Sequence, residues 1–208
     1  MRKFFYLLLS ALLLHMMGCI KPGERTRMVD KRLPLEELVD TFMKEHPDYL
    51  NNEVTMQNGD VEFQKVIIDT TINYIEGIPL ELKKLCNNGK SYMAQFQCWH
   101  TTRPYFDFQE PIQDAHFDII TAVPDSMIVS LKEGEYYTLS GVIIERIANI
   151  NVFRAMLGND YAMAYTPTVG IRRNDIWKEK YDVEMGMIYF HLDSLKPYTE
   201  REKVEEKY

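Results

Sequence analysis

An apolar stretch near the start of the chain, Phe4 to Met17, limits more than any other segment what this sequence can fold into. Arg2 and Lys3 precede it, and a basic head followed by an apolar stretch is typical of a secretory signal. As a helix the stretch would span roughly 21 Å, which is short of the ~30 Å hydrocarbon core of a bilayer. We therefore expect it to direct export and to take no part in the globular core.

The end of this stretch, Met16-Met17-Gly18-Cys19, resembles the lipobox of bacterial lipoproteins, in which a small residue precedes the modified cysteine. The resemblance implies a signal peptide over residues 1–18, a diacylglycerol on the Cys19 thiol, and an acyl chain such as palmitate on the new amino terminus. Several acyl chains anchor a protein stably to a membrane where one does not. An uncleaved anchor with an ordinary cysteine is the alternative. No acidic run follows Cys19, which favours the outer membrane and its periplasmic face.

The charge balance bears on the class of partner. The chain carries 24 basic and 31 acidic side chains, a net charge of −7, and loss of Arg2 and Lys3 with the signal makes it more acidic. Nucleic-acid binding depends on positive charge that neutralises phosphates. The balance therefore counts against a nucleic-acid partner.

Composition also divides the chain. Residues 19–32 are rich in basic side chains and contain Pro22 and Gly23, which predicts a flexible, lipidated tether; contact of this tether with anionic headgroups is an alternative. Residues 33–198 suffice for a single globular domain. Residues 199–208 form a charged tail.

Two helices are predicted at the start of the domain. Pro34 and Pro47 bracket the first, and Asp60 to Ile75 shares a helical stripe with Asp60 as a plausible N-cap. The β-branched residues within the second segment lower its helix propensity, so a non-helical conformation stays open there. The apolar positions of the first helix are Leu35, Leu38, Val39, Phe42 and Met43.

From Ile78 onward the pattern is typical of short strands joined by turns. Asn87-Asn88-Gly89-Lys90 has the chemistry of a hairpin turn, and Lys132 to Glu135 that of a second turn. These features predict an α+β domain with a mostly antiparallel sheet of five to six strands, or a small OB-like β-barrel. The predicted strands cover Ile78 to Leu82, Ser91 to Trp99, Phe117 to Val123, Met127 to Leu131, Tyr136 to Ile144 and Met187 to Leu192.

The stretch from Glu133 to Ile143 resembles a strand of oligonucleotide/oligosaccharide-binding (OB) barrels, with a turn, an aromatic strand and a glycine in mid-strand. The resemblance extends loosely over about 110 residues and rests on a pattern that many small barrels share. It implies that the sheet coils at Gly141, since glycine within a strand often marks a bend.

Cys86 and Cys98 would lie in an oxidising compartment, where disulfides persist. If Asn88-Gly89 is a hairpin turn, however, the two residues are more than about 20 Å apart along the strands, beyond the ~7 Å Cα separation that a bridge allows. We therefore predict two unpaired, buried thiols. A helical Pro79 to Cys86 would instead let them meet.

Aromatic and charged side chains crowd the segment after the second strand. Such a mixture is typical of a sugar or peptide site, because rings offer flat apolar area and arginine a fixed fork of donors. Packing of a long loop on the sheet accounts for the same residues. The candidate ligand-binding residues are Trp99, His100, Arg103, Tyr105 and Asp107.

Two further groups are weaker candidates. Asp114, His116 and Asp118 alternate along a strand and could be ligands for a divalent ion, although an exposed polar strand face is the favoured explanation, because three residues lack the closed ligand set of a structural site. A second polar-aromatic cluster could hold an anion or be a solvated connection. Its members are Arg172, Arg173, Asp175, Trp177 and Lys178.

No sequence pattern indicates an enzyme. Gly-x-Ser-x-Gly, P-loop and dinucleotide-binding glycine patterns are missing from the sequence, so we assign no catalytic residue, metal site or cofactor. The prediction is a membrane-anchored envelope lipoprotein whose domain binds a protein or glycan without catalysis. The alternatives are a hydrolytic enzyme of the envelope, which a histidine near two carboxylates in a deep pocket would favour, and a structural or assembly lipoprotein.

Overall fold

A computed structural model describes residues 26–69, 73–99, 108–109, 111–147, 150–157, 169–199 and 203–207. Residues 32–201 form one compact unit, and strands β1 and β8 pair in another. Among the described residues no helix is both long and apolar enough to cross a bilayer. In chain order the elements are β1 (Thr26–Asp30), α1 (Pro34–Glu45), α2 (Glu53–Asp69), β2 (Leu80–Asn87), β3 (Tyr92–Trp99), β4 (Ile112–Val123), α3 (Asp125–Ile128), β5 (Tyr136–Ile147), α4 (Ile150–Leu157), β6 (Gly170–Arg173), β7 (Tyr181–Pro197) and β8 (Lys203–Lys207).

Helix α1 confirms the first predicted helix. Pro34 occupies its first turn, where the missing N–H leaves no partner unsatisfied. Leu33 at the N-cap has no polar side chain, and its backbone N–H donates to Glu36 Oε2 at 2.6 Å. Leu35 and Phe42 are buried on the face that meets the core.

Helix α2 confirms a helix in the second predicted segment but runs from Glu53 to Asp69, so it begins earlier than predicted and residues 73–75 lie outside it, with a turn from Tyr74. The prediction of Asp60 as its N-cap is wrong, because Asp60 lies in mid-helix. Asn52 caps the helix instead: its side chain accepts from the Thr55 N–H at 3.0 Å, and Thr55 Oγ1 accepts from the Asn52 N–H at 3.1 Å. The first turns of α2 are largely exposed, so their sequence shows little apolar periodicity.

The hairpin between β2 and β3 is confirmed. Asn87 pairs with Tyr92, and Gly89 has a φ of 86°, a left-handed conformation that glycine adopts without strain. The Asn88 side chain accepts from the Lys90 and Ser91 N–H groups at 3.0 Å each. Local turn chemistry therefore fixes this register.

The strand predicted over Met127 to Leu131 is wrong. The chain forms the short helix α3 and a turn there, with the Met127 N–H bonded to the Pro124 carbonyl at 2.9 Å and the Ser130 N–H to the Met127 carbonyl at 3.1 Å. Val129 is 94 % exposed, whereas Leu131 is buried and Met127 and Ile128 pack against the larger core, so the side chains that face inward follow a helical turn and do not alternate as in a strand. Local hydrogen bonds after Pro124 outweigh β propensity here.

Six strands form one sheet in the order β4-β3-β2-β5-β7-β6. Every neighbouring pair in this order is antiparallel, and a further parallel pairing joins β4 to β7. The hydrogen-bonded neighbours β2, β3, β4, β7 and β5 thus follow one another in a closed ring, with β6 added beside β7. This confirms the predicted α+β class with a mostly antiparallel sheet. Strand β6 was not predicted, and β4, β5 and β7 extend beyond their predicted bounds.

The described side chains form two apolar clusters. The larger includes the inward side chains of the ring together with α1 and α2, among them Phe63, Phe96, Phe117 and Phe190. The smaller lies where α4 packs on the sheet, and its buried members are Met93, Ile120, Ile147, Leu157 and Met187.

Gly141 lies at a break in the register of β5 with β7. Ser140 pairs with Ser194 but Gly141 pairs with Leu192, so β7 has one extra residue at this point. A Cβ on Gly141 would lie 1.9 Å from the His191 carbonyl oxygen. The glycine therefore permits close approach of two backbones at a bulge.

The first and last strands of the chain, β1 and β8, pair antiparallel, with Thr26 opposite Lys207 and Asp30 opposite Lys203. These residues belong to the segments predicted as a flexible tether and a charged tail. Neither strand was predicted.

No disulfide joins Cys86 to Cys98, as predicted. Cys86 lies opposite Met93 and Cys98 opposite Phe117, so the hairpin separates them. Cys98 is buried, whereas Cys86 is only half-buried, contrary to the prediction. Burial raises the pKa of the Cys86 thiol.

Candidate functional site

The predicted ligand-binding residues are only partly described. Trp99 is the last residue of β3. His100, Arg103, Tyr105 and Asp107 lie outside the described residues, as does Cys19. The site is therefore built from Trp99 and the side chains around it.

The parallel pairing of β4 and β7 places two chain segments at the same end of the sheet. Ile112 pairs with Tyr181, and the Tyr181 N–H donates to the Pro111 carbonyl at 2.9 Å. The segment that enters β4 and the segment 174–180 that enters β7 are therefore neighbours. Trp99 and Trp177, from two separately predicted clusters, come to this one end of the sheet.

Trp99 is held against β4. It pairs with His116 across the strands, and the two rings meet edge to face with centroids 5.4 Å apart. The indole remains 42 % exposed. A fixed and partly exposed aromatic ring is a low-entropy contact surface for a ligand.

A row of buried polar side chains continues from Trp99 along the same face. Asp118 Oδ1 accepts from Gln95 Nε2 at 2.9 Å and from Gln97 Nε2 at 3.3 Å. All three residues are buried. Two amide donors therefore hydrogen-bond the Asp118 carboxylate, and these bonds offset the free-energy cost of burying it.

Two carboxylates lie opposite each other on β4 and β7. Asp114 and Asp182 are partners across β4 and β7, and Asp182 accepts two hydrogen bonds from Asn174 Nδ2, at 2.9 and 3.1 Å. Burial raises the pKa of Asp182; the Asn174 hydrogen bonds oppose the shift, the charge of Asp114 adds to it, and His116 opposes it. Two carboxylates and an imidazole therefore interact at this end of the sheet. We name Gln95, Gln97, Trp99, Asp114, His116, Asp118 and Asp182 the strand-end site.

The metal hypothesis for Asp114, His116 and Asp118 finds no support. Among the described residues no group of three or more His, Cys, Asp or Glu side chains is placed to hold a metal ion. The alternative of an exposed polar face is also wrong, because Asp114 and Asp118 are buried.

Arg172 from the second cluster serves the fold. Its guanidinium donates to both carboxylate oxygens of Asp60 on α2, at 2.7 and 2.6 Å. The Tyr49 hydroxyl donates to the same carboxylate and accepts from the Ile171 N–H at 2.8 Å. Burial, together with the Asp60 hydrogen bond, raises the pKa of Tyr49. These hydrogen bonds join α2 to β6, and the Arg172 guanidinium is bound by the Asp60 carboxylate. We call Tyr49, Asp60 and Arg172 the Asp60 group.

Comparison of the chain with models of known protein families, with curated proteins and with solved structures found no match.

Four residues of this region were not predicted from the sequence: Gln95, Gln97, Asn174 and Asp182. Gln95 and Gln97 alternate within an apolar strand, a signal that one face of β3 carries polar groups. Asn174 and Asp182 gave no comparable signal, because their meeting depends on the pairing of β6 with β7.

Proposed function

We propose that this protein is an exported lipoprotein, acylated at Cys19 after removal of residues 1–18 and held on the periplasmic face of the outer membrane. Its domain binds a ligand without catalysis. The basic head, the apolar stretch and the Gly18-Cys19 junction support this anchoring.

The ligand class that best suits the strand-end site is a neutral glycan. Trp99, fixed by His116 and partly exposed beside the Gln97–Asp118 pair, is the observation that carries this proposal. A sugar presents an apolar face to an aromatic ring and hydroxyls to amides and carboxylates. The carboxylates of Asp114, Asp118 and Asp182 would repel polyanions, so a nucleic acid is a poor fit.

The order of the strands supports an OB-like barrel. OB barrels are five-stranded, and the face of their second and third strands binds oligonucleotides or oligosaccharides. In the ring described above β3 and β4 are the second and third strands, and they carry Trp99 and Asp118. The proposed glycan face thus coincides with the face that such barrels use.

Binding of the purified acylated protein to a glycan panel tests this function. We expect Trp99→Ala to weaken binding about 30-fold, because a central aromatic contact contributes about 2 kcal/mol. Trp177→Ala is the matched control and should bind as the unaltered chain does. Equal binding by the two variants, or no glycan bound by the unaltered chain, would refute the glycan proposal.

The anchoring is tested separately with Cys19→Ser. We expect this variant to lose labelled palmitate. A Cys19→Ser chain that still incorporates palmitate would refute acylation at this cysteine.

A hydrolytic enzyme is the second candidate, favoured by one observation. His116 and Asp114 both lie close enough to Asp182 for their charges to act on it, and Asp182 has the raised pKa expected of a general acid. Hydrolysis of envelope glycans by the unaltered chain, abolished by Asp182→Asn, would establish this function. Binding without turnover would exclude it.

A further inference from the structure

We propose that the loop between β6 and β7, residues 174–180, inserts its tip into the surface of a phospholipid bilayer. We call this segment the hairpin tip. Ile176 is 80 % exposed and Trp177 is 53 % exposed, side by side in the sequence. Large apolar side chains that a fold leaves together in water often mark an interaction surface.

The hairpin tip is held in a fixed conformation. Asn174 Oδ1 accepts from the Ile176 N–H at 2.9 Å and from the Trp177 N–H at 2.7 Å. The Asn174 side chain is anchored in turn by Asp182, and the Lys180 N–H closes the loop on the Trp177 carbonyl at 2.8 Å. The exposure of Ile176 and Trp177 is therefore built into the loop, and insertion would require little further ordering.

The side chains around the hairpin tip suit the interfacial layer of a bilayer. Tryptophan is enriched at the boundary between headgroups and hydrocarbon. Arg173, Lys178 and Lys180 flank the apolar pair and would meet phosphate groups. Two acidic residues, Asp175 and Glu179, also lie in the hairpin tip, and the Asp175 carboxylate is 3.5 Å from the Lys178 ammonium, which offsets its charge. Two apolar side chains reach only a shallow depth, as in proteins that lie on a membrane.

This inference rests on the proposed acylation of Cys19. A lipid anchor in the same chain gives the hairpin tip a high effective concentration at the bilayer, so a contact too weak to bind alone becomes populated. A protein partner would lack this advantage, which is why we assign the tip to lipid.

The two tryptophans of the chain allow a direct test. The acylated protein is placed in vesicles of phosphatidylethanolamine and phosphatidylglycerol whose acyl chains carry bromine, which quenches indole emission on contact. Trp99→Phe leaves Trp177 as the reporter, and Trp177→Phe leaves Trp99 as the matched control. We expect the Trp177 emission to be quenched and shifted to the blue, and the Trp99 emission to match that in unbrominated vesicles. Ile176→Ser in the Trp99→Phe background should reduce the quenching.

Equal Trp177 emission in brominated and ordinary vesicles would overturn the inference and leave the hairpin tip to a protein partner. Quenching of Trp99 to the same extent would also overturn it. A chain that fails to float with the vesicles refutes both the acylation and the tip contact. One that floats without Trp177 quenching refutes the tip contact alone.

Discussion

Gly141 shows how one residue without a side chain sets the shape of two strands. The His191 carbonyl oxygen occupies the place that a Cβ at position 141 would need. We expect Gly141→Ala to lower the free energy of unfolding by about 3 kcal/mol, because two hydrogen-bonded backbones cannot separate without losing their pairing. Urea unfolding followed by circular dichroism measures the change.

The control for this variant is Gly89→Asn. Gly89 also has a positive φ, but a Cβ there would meet nothing within 4 Å, and asparagine tolerates the left-handed conformation. This variant should unfold close to the unaltered chain. If Gly141→Ala were equally harmless, the close approach of β5 and β7 would be wrong.

The stability of the folded chain should depend on pH through Asp182. Its pKa is raised in the folded chain, chiefly by burial, so folding favours the protonated carboxyl. The contribution of Asp182 to stability is therefore fully present at pH below its ordinary pKa of 3.8 and is lost as pH rises through the folded-state pKa. We expect Asp182→Asn to be more stable than the unaltered chain at pH 7.

The gain from Asp182→Asn should shrink as the pH falls toward 3.8, which thermal unfolding over a pH series would measure. Asp125→Asn, at an exposed carboxylate at the start of α3, is the control and should show no such trend. A stability difference between Asp182→Asn and the unaltered chain that stays constant with pH would contradict the raised pKa of Asp182.

At the level of single residues, sequence alone located the strand-end site only in part. Trp99, Asp114, His116 and Asp118 stood out because aromatic and charged residues alternate near the ends of two predicted strands. Asp182 did not stand out, because its interaction with Asp114, almost seventy positions earlier in the chain, depends on the parallel pairing of β4 with β7. The burial of Asp114 and Asp118 could not be predicted either, because alternate spacing along a strand is the same on a buried face and on an exposed one.

Among the elements, those fixed by local chemistry were the best predicted. The β2–β3 hairpin follows from Asn88 and Gly89, and α1 from its apolar stripe and Pro34. The errors arose where local hydrogen bonds compete with apolar patterning, as at α3, or where a strand is short, as at β6. The start of α2 was missed because its first turns bury little.

The Asp60 group predicts how α2 is held on β6. Asp60→Asn removes the charge that Arg172 and Tyr49 share, and we expect the free energy of unfolding to fall by about 2 kcal/mol, the usual contribution of charge-assisted hydrogen bonds. Chemical denaturation measures this loss.

Glu62→Gln is the matched control on the same helix. Glu62 forms an exposed pair with Lys65, and such pairs contribute little. Its unfolding curve should overlay that of the unaltered chain. Equal losses in the two variants would show that the Asp60 group does not join α2 to β6.

At the scale of the whole molecule, the sequence left an open sheet and an OB-like barrel as alternatives. Periodicity predicts strands and turn chemistry predicts hairpins, but the parallel pairing of β4 with β7 joins segments that no turn connects. The α+β class followed from the order of the elements, whereas a closed arrangement was suggested only by the resemblance of Glu133 to Ile143 to an OB strand.

The pairing of β1 with β8 predicts that the C-terminal segment protects the tether. Deleting residues 199–208 removes the partner of β1, and an unpaired strand is open to proteases. We expect trypsin to cleave after Arg27 severalfold faster in the deleted chain, as followed by mass spectrometry.

Cleavage after Lys90, in the exposed turn of the other unit, is the internal control and should not change. Equal rates after Arg27 in both chains would mean that β8 gives the tether no protection.

Strand β7 is a neighbour of β4, β5 and β6, and it follows all three in the chain. In the proposed export the chain would cross the inner membrane amino end first, so β7 would be among the last strands to arrive. Until residue 197 has crossed, β4 and β5 would each have an unpaired edge. We therefore expect the proposed export to depend on a chaperone that binds unfolded chains.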